Sequence, residues 1–175
     1  MTLDAALLIL RLGTGLVFAV HGAQKTFGWW GGQGLHGWQG TMERLGYRPT
    51  RLFAVISALA ELAGGVLLAI GFLTPLVATV VTAQIILIIA GVHWPRGFFN
   101  KDNGYEFPLL LATGFLAIEL AGPGRFSIDG ALGIAVPAEV RVGLALVGIA
   151  GGFLTLTVPR IARALRHETP VVAPK

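Results

Sequence analysis

The sequence predicts an all-α membrane protein: a four-helix transmembrane bundle, a fifth C-terminal transmembrane helix and an interfacial helix in the first loop. Three observations predict it. Hydrophobic residues make up 54% of the 175 residues, charged residues only 13%, and mean hydropathy is +0.74; a soluble domain carries about a quarter charged residues. Residues 4–23, 52–73, 75–93 and 106–121 form apolar runs near the ~20 residues that a bilayer core demands, and residues 140–158 form another. The runs are continuous, without the dyad alternation of barrel strands, so each backbone satisfies its hydrogen bonds within its own helix.

The first run follows Met1-Thr2-Leu3-Asp4, with no basic segment before it and no small-residue cleavage site near its end, so it reads as a retained helix. The loop 24–51 carries Trp29, Trp30 and Trp38, and Leu35, Trp38, Met42 and Leu45 recur at spacings of three, four and three. That stripe predicts an amphipathic helix at the membrane interface, with Trp29 and Trp30 in the headgroup belt, covering one mouth of the bundle. Gly13, Gly15, Gly64, Gly65, Gly151 and Gly152 offer places for close helix approach. Asn103 and Glu106 have capping-box spacing, with Pro108 in the first turn of the fourth span. Residues 130–159 supply the fifth helix, residues 160–175 a basic tail, and residues 168–175 a disordered end.

Lys and Arg sit mainly in alternate loops. None precedes the first span, four occupy residues 24–51 (Lys25, Arg44, Arg48, Arg51), none lies at Leu73–Thr74, and Arg96 and Lys101 separate spans three and four. Arg160, Arg163, Arg166 and Lys175 follow the last span, while Arg125 and Arg141 dissent. The positive-inside rule then places the N-terminus outside and the C-terminus in the cytoplasm. This placement also removes nucleic acid as the reason for the net charge of +4. With no cysteine, the chain itself has no disulfide, iron–sulfur cluster, c-type haem attachment or thiol cycle.

Ionisable groups inside a membrane are costly and mark functional or pairing sites. Arg11, His21, Glu61, His93, Glu106 and Glu119 are the six at issue. Spans one and three end at His21 and His93, and spans two and four start from that same face, so His21, Lys25, His93 and Glu106 share one end. Glu61, nine residues into span two, lies roughly 14 Å deeper. Arg11, Thr14, Phe18, His21 and Lys25 line one face of span one. Arg11 can then form a structural ion pair with Glu61 or with Glu119, or serve with Glu61 in a proton or ligand role. Two imidazoles with carboxylates suit a metal, a haem or the carbonyls of a quinone. No tight metal-ligand spacing occurs, and no metal is assigned. Phe27, Trp29, Trp30 and Trp94 give the flat apolar walls of a quinone site.

Three stretches carry a family likeness: His21-Gly22-Ala23-Gln24-Lys25-Thr26-Phe27-Gly28, Glu61-Leu62-Ala63-Gly64-Gly65 with Gly71 after it, and Gly122-Pro123-Gly124-Arg125-Phe126-Ser127-Ile128-Asp129. Across residues 8–129 the chain resembles the DoxX (DoxX/DoxD-like) family of small bacterial integral membrane proteins. The resemblance implies a four-helix core over residues 1–129 in a bacterial cytoplasmic membrane, a link to terminal-oxidase-associated thiosulfate:quinone oxidoreduction or to oxidative-stress complexes, and His21, Lys25 and Glu61 as the family's polar positions, with His93 beside them. The fifth helix exceeds that pattern. Taken together, these readings point to a membrane subunit of an oxidoreductase system whose His21, Lys25, Glu61, His93 and Glu106 bind a quinone or flank a docked redox partner. Two alternatives stay open: a transport protein coupled through Arg11 and Glu61, and a non-catalytic assembly subunit. Whether the chain is catalytic, and whether it forms an oligomer, is open at this stage.

Overall fold

The computed structural model describes residues 1–161; the predicted tail from residue 162 onward lies outside them. The order is α1 Thr2–Phe27, α2 Gly34–Arg44, α3 Thr50–Ile70, α4 Thr74–Ile88, α5 Glu106–Ala121, α6 Ile128–Ala131 and α7 Ala138–Thr155. The chain after α4 continues as a π-helical turn, Ile89–His93, and a 3-10 turn, Trp94–Arg96.

Among the described residues, four helical stretches are long and apolar enough to cross a membrane: Thr2–Phe27, Thr50–Ile70, Thr74–Arg96 and Ala138–Ile161. The C-terminal apolar run is therefore one of the four. The fourth predicted run becomes α5, which has only 16 residues and a length of about 24 Å. The all-α membrane fold holds, with the shortest member inside the bundle.

Lipid tails are as apolar as leucine, so membrane helices associate through close packing rather than through the hydrophobic effect. Helices α1 and α3 use small residues to do this. A Cβ on Gly22 would lie 2.2 Å from the Leu62 nitrogen, and one on Gly65 would lie 2.4 Å from the Ala19 nitrogen. Gly15 meets the Gly65 carbonyl in the same seam. Gly152 and Gly148 of α7 press on Ile86 and Thr79 of α4. Of the glycines expected at contacts, Gly13 faces open space and Gly151 has only an ordinary contact, while Gly22 and Gly148 are additions. Around α4 the core gathers Phe18, Leu68, Val81, Ile85, Phe115 and Ile118. Phe18 and Phe115 meet edge to face at 5.0 Å, the arrangement that aromatic quadrupoles prefer.

Helix α2 lies in the first loop as expected, but its stripe is turned to protein: Trp38 and Met42 are buried against Ala54, Ala58 and Leu87, with Leu35 and Leu45 packed beside them. The apolar stripe has the same periodicity whether it meets acyl chains or neighbouring helices, and here α3 and α4 supply the partner. Tyr47, in the turn after α2, donates its hydroxyl to the Thr155 carbonyl at 2.9 Å, tying the turn to the end of α7. Trp29 and Trp30 are exposed, as a headgroup belt requires.

The end remote from α2 is closed by a polar clasp. The fully buried Arg11 guanidinium donates to the Ala69 carbonyl at 3.2 Å and to the Phe126 carbonyl. Gly71 has φ +68°, and a Cβ there would lie 1.9 Å from an Arg11 nitrogen, so only glycine leaves room for the guanidinium. Asp129, also fully buried, accepts from the Leu73 and Thr74 amides at 2.8 and 2.7 Å. Its carboxylate satisfies donors that the start of α4 leaves without a partner.

Candidate functional site

The site is built on the close approach of α1 and α3. Because Gly22 has no side chain, the α1 backbone comes against Leu62 and Glu61, and Lys25, one turn further along α1, reaches the Glu61 carboxylate. The two form an ion pair in which the Glu61 side chain is 0% exposed and that of Lys25 14% exposed. The deeper position expected for Glu61 is bridged by the length of the lysine side chain.

Neighbouring elements complete the network. Ser57 and Glu61 are four residues apart on α3 and share a face. Gln84 of α4 donates to Ser57 Oγ at 2.6 Å and to Glu61 Oε1 at 3.0 Å. From α2, the Trp38 indole N–H donates to Ser57 Oγ at 3.2 Å, and the Trp38 ring lies 3.8 Å from Lys25 Nζ. The ammonium is thus held between a carboxylate and the negative face of an indole. Glu61 Oε2 is buried without a partner among the described residues.

Lys25, Trp38 and Glu61 of this network line a cavity of about 580 Å³, with Ser57 and Gln84 behind them, within the range of small-molecule sites. Phe18, His21 and Lys25 line it from α1, Glu61 from α3, Ile85, Ile88 and His93 from α4 and its extension, and Phe107 and Leu111 from α5. Arg96, Asn100 and Asn103 stand at the loop side. The ring of His21 sits 5.8 Å from that of Phe107.

His93 ends the π-helical turn, a feature that recurs at functional sites because it re-aims side chains. Its Nδ1 lies 2.6 Å from the Asn103 carbonyl oxygen. Asn103 takes the left-handed conformation at φ +59°, which asparagine tolerates better than most residues. The loop carrying it is fastened by Glu106, whose carboxylate accepts from the Asn100 amide at 2.9 Å, and by Trp94 stacked on Tyr105 at 4.9 Å.

Four predicted site residues, His21, Lys25, Glu61 and His93, therefore face one cavity, and the other predictions divide. Glu106 is exposed and absent from the lining; its carboxylate belongs to the loop. The capping box expected from Asn103 does not form, since Tyr105 is the N-cap of α5 and makes no side-chain cap bond. Arg11 pairs with neither Glu61 nor Glu119: its fork is taken by two carbonyls at the opposite end, and Lys25 takes Glu61. Glu119 is fully buried and accepts from the Thr79 hydroxyl at 2.6 Å, with Oε2 unpartnered among the described residues. Among those residues no group of three or more His, Asp or Glu is placed to hold a metal ion.

Gln84, Ser57 and Asn103 were not foreseen. Gln84 had a signal, being an amide in the middle of an apolar run, where a polar group has to find a partner. Ser57 and the Asn103 carbonyl had none that distinguishes them from any serine or main-chain oxygen.

The DoxX family model matches residues 6–94, slightly more than half of the chain. The matched stretch runs from the first turns of α1 through α4 and includes His21, Lys25, Glu61 and His93, while the Gly122–Asp129 motif lies beyond it. No curated protein and no solved structure matches the chain.

Proposed function

The chain belongs to the DoxX family, and from that premise we propose that it is an integral membrane subunit of an oxidoreductase system whose cavity binds a quinone head group. One observation carries the reading: a cavity of about 580 Å³ lined by the Lys25–Glu61 pair, which Gln84 braces from behind, by two imidazoles and by aromatic and aliphatic side chains. The donor set fits such a ring. Lys25 Nζ points one hydrogen at Glu61 and keeps others for a ring oxygen; His21 and His93 stand on the walls; Phe18, Phe107 and Leu111 enclose the flat apolar part.

A quinone, when bound, supplies the two-electron chemistry that a chain without cysteine lacks. Each residue has a part that needs no such chemistry of its own. Glu61 fixes the ammonium in place, Gln84 and Ser57 fix Glu61, and Trp38 shields the ion pair. With the N-terminus outside, the cavity mouth faces the cytoplasm, next to the Trp-rich loop on which a redox partner would dock. The transport alternative rested on an Arg11–Glu61 coupling pair, which is not formed.

Titration of the detergent-solubilised protein with 2-methyl-1,4-naphthoquinone, followed by quenching of tryptophan fluorescence, tests the proposal. Saturable quenching is expected, weakened at least tenfold in His21→Ala and in Lys25→Met. Folded parent protein that shows no saturable binding, or variants that bind as the parent does, would remove the quinone reading.

A further inference from the structure

The hydrogen-bonding groups of the cavity are unequal in kind, and the imbalance bears on which form of a ring ligand it takes. A main-chain carbonyl oxygen can only accept, so the 2.6 Å contact between His93 Nδ1 and the Asn103 oxygen requires the proton on Nδ1. In neutral His93 the other nitrogen, Nε2, is then a bare lone pair, and it makes no hydrogen bond among the described residues. The Asn103 carbonyl acts as the positioning group, held by its left-handed backbone and by the Glu106–Asn100 bond. A second acceptor is also without a donor: Glu61 Oε2 is buried and unpartnered among the described residues, while Oε1 already takes Lys25 and Gln84.

We infer that this cavity selects the hydroxylated, reduced form of its ring ligand, because His93 Nε2 and Glu61 Oε2 are two acceptors that only a ligand bearing hydrogens can satisfy. The inference rests on the quinone reading and sharpens it. A fully oxidised ring brings only carbonyl oxygens, so it can accept from Lys25 but leaves both acceptors facing lone pairs. A dihydroxy ring brings two O–H donors, and its oxygens still accept from Lys25. His21 stands beside the Gln24 amide, which both donates and accepts and so fixes no tautomer, and it serves either form equally. Arg96 at the rim is a donor to any ring oxygen and does not discriminate.

The test compares 1,4-naphthoquinone with 1,4-dihydroxynaphthalene under anaerobic conditions, using the detergent-solubilised full chain and calorimetric titration. The reduced ring is expected to bind about tenfold tighter, the size of one buried hydrogen bond made rather than left unmade. In His93→Phe the dihydroxy ring should lose its bond to Nε2 and the preference should fall by about threefold or more, leaving the share held by Glu61 Oε2. A second measurement does not depend on that variant folding. In protein with ¹⁵N-labelled histidine, His93 should show the Nδ1–H tautomer, and its Nε2 resonance should move on adding the dihydroxy ring but not the quinone.

Equal affinity for the two rings, a preference undiminished in His93→Phe, or an Nε2–H tautomer would each overturn the inference and leave quinone binding standing. Folded parent protein that binds neither ring would overturn the quinone reading and this inference with it.

Discussion

Replacing Lys25 by methionine should destabilise the protein far more than an ordinary surface-charge change, because of where the two charges sit. Glu61 is 0% exposed and Lys25 14% exposed, so truncating the lysine leaves a carboxylate in the bundle with only Gln84 to hold it. Breaking a buried pair from one side costs about 3–5 kcal/mol. For a chain of this size each kcal/mol moves the midpoint by about 2–4 °C, so Lys25→Met should melt about 6–20 °C lower. Glu61→Gln should cost less, about 1–2 kcal/mol, because the freed ammonium borders the cavity and can lean into it. In Lys25→Met/Glu61→Gln no buried charge remains, and the double variant should be more stable than Lys25→Met. That non-additivity, of about 1–3 kcal/mol, is the signature of a direct pair. Thermal unfolding in detergent micelles, followed by tryptophan fluorescence at fixed pH, measures all four proteins. Strict additivity, or a midpoint for Lys25→Met within about 2 °C of the parent, would show that the pair does not hold the α1–α3 contact.

Three further outcomes follow from other parts of the fold. Gly22→Ala forces a methyl to 2.2 Å from the Leu62 nitrogen and should cost at least ~3 kcal/mol by pushing α1 off α3, whereas Gly13→Ala meets open space and should gain about 0.5–1 kcal/mol from helix propensity; paired melting curves decide. Arg11→Met should destabilise by about 2–4 kcal/mol through its two abandoned carbonyls, yet leave quinone affinity within twofold, since Arg11 lies 14 residues and about 21 Å along α1 from Lys25. Lost binding with unchanged stability would refute that division of labour. Burial holds the Tyr47 phenol above its ordinary value near 10, so its contribution is intact below pH 10 and falls as pH rises beyond it, where only the unfolded chain ionises. Tyr47→Phe should remove that alkaline slope and cost about 1 kcal/mol at neutral pH through the Thr155 carbonyl, readable from melting points at pH 8 and pH 10.5.

The positions of Gln84 and Glu106 show where residue-by-residue reading stops. Glu106 shares an end of the bundle with His21 and His93, as span parity requires. Parity gives height along the membrane normal but not azimuth around a helix axis, and the carboxylate turns into its own loop. Gln84 is uncharged and so escaped a search for ionisable groups, yet a buried amide must be paired, and it pairs with the acid at the centre of the site. The same limit explains Arg11. Helical periodicity aligned it with His21 and Lys25 on one face, but the face has length, and Lys25 stands one turn from Gly22, where α3 comes closest.

Composition and apolar run length determined the membrane class, the helical secondary structure and the end of the bundle at which polar residues gather, because the bilayer imposes those features on any chain locally, without reference to partners. The choice of ion partner, the burial of α2 against protein rather than lipid, and the enclosure of His21, Lys25, Glu61 and His93 in one cavity were decided only by tertiary packing. Each depends on which helices touch and at what rotation. That is set by contacts between residues such as Gly22 and Leu62, 40 positions apart in the chain, whose meeting no local pattern encodes.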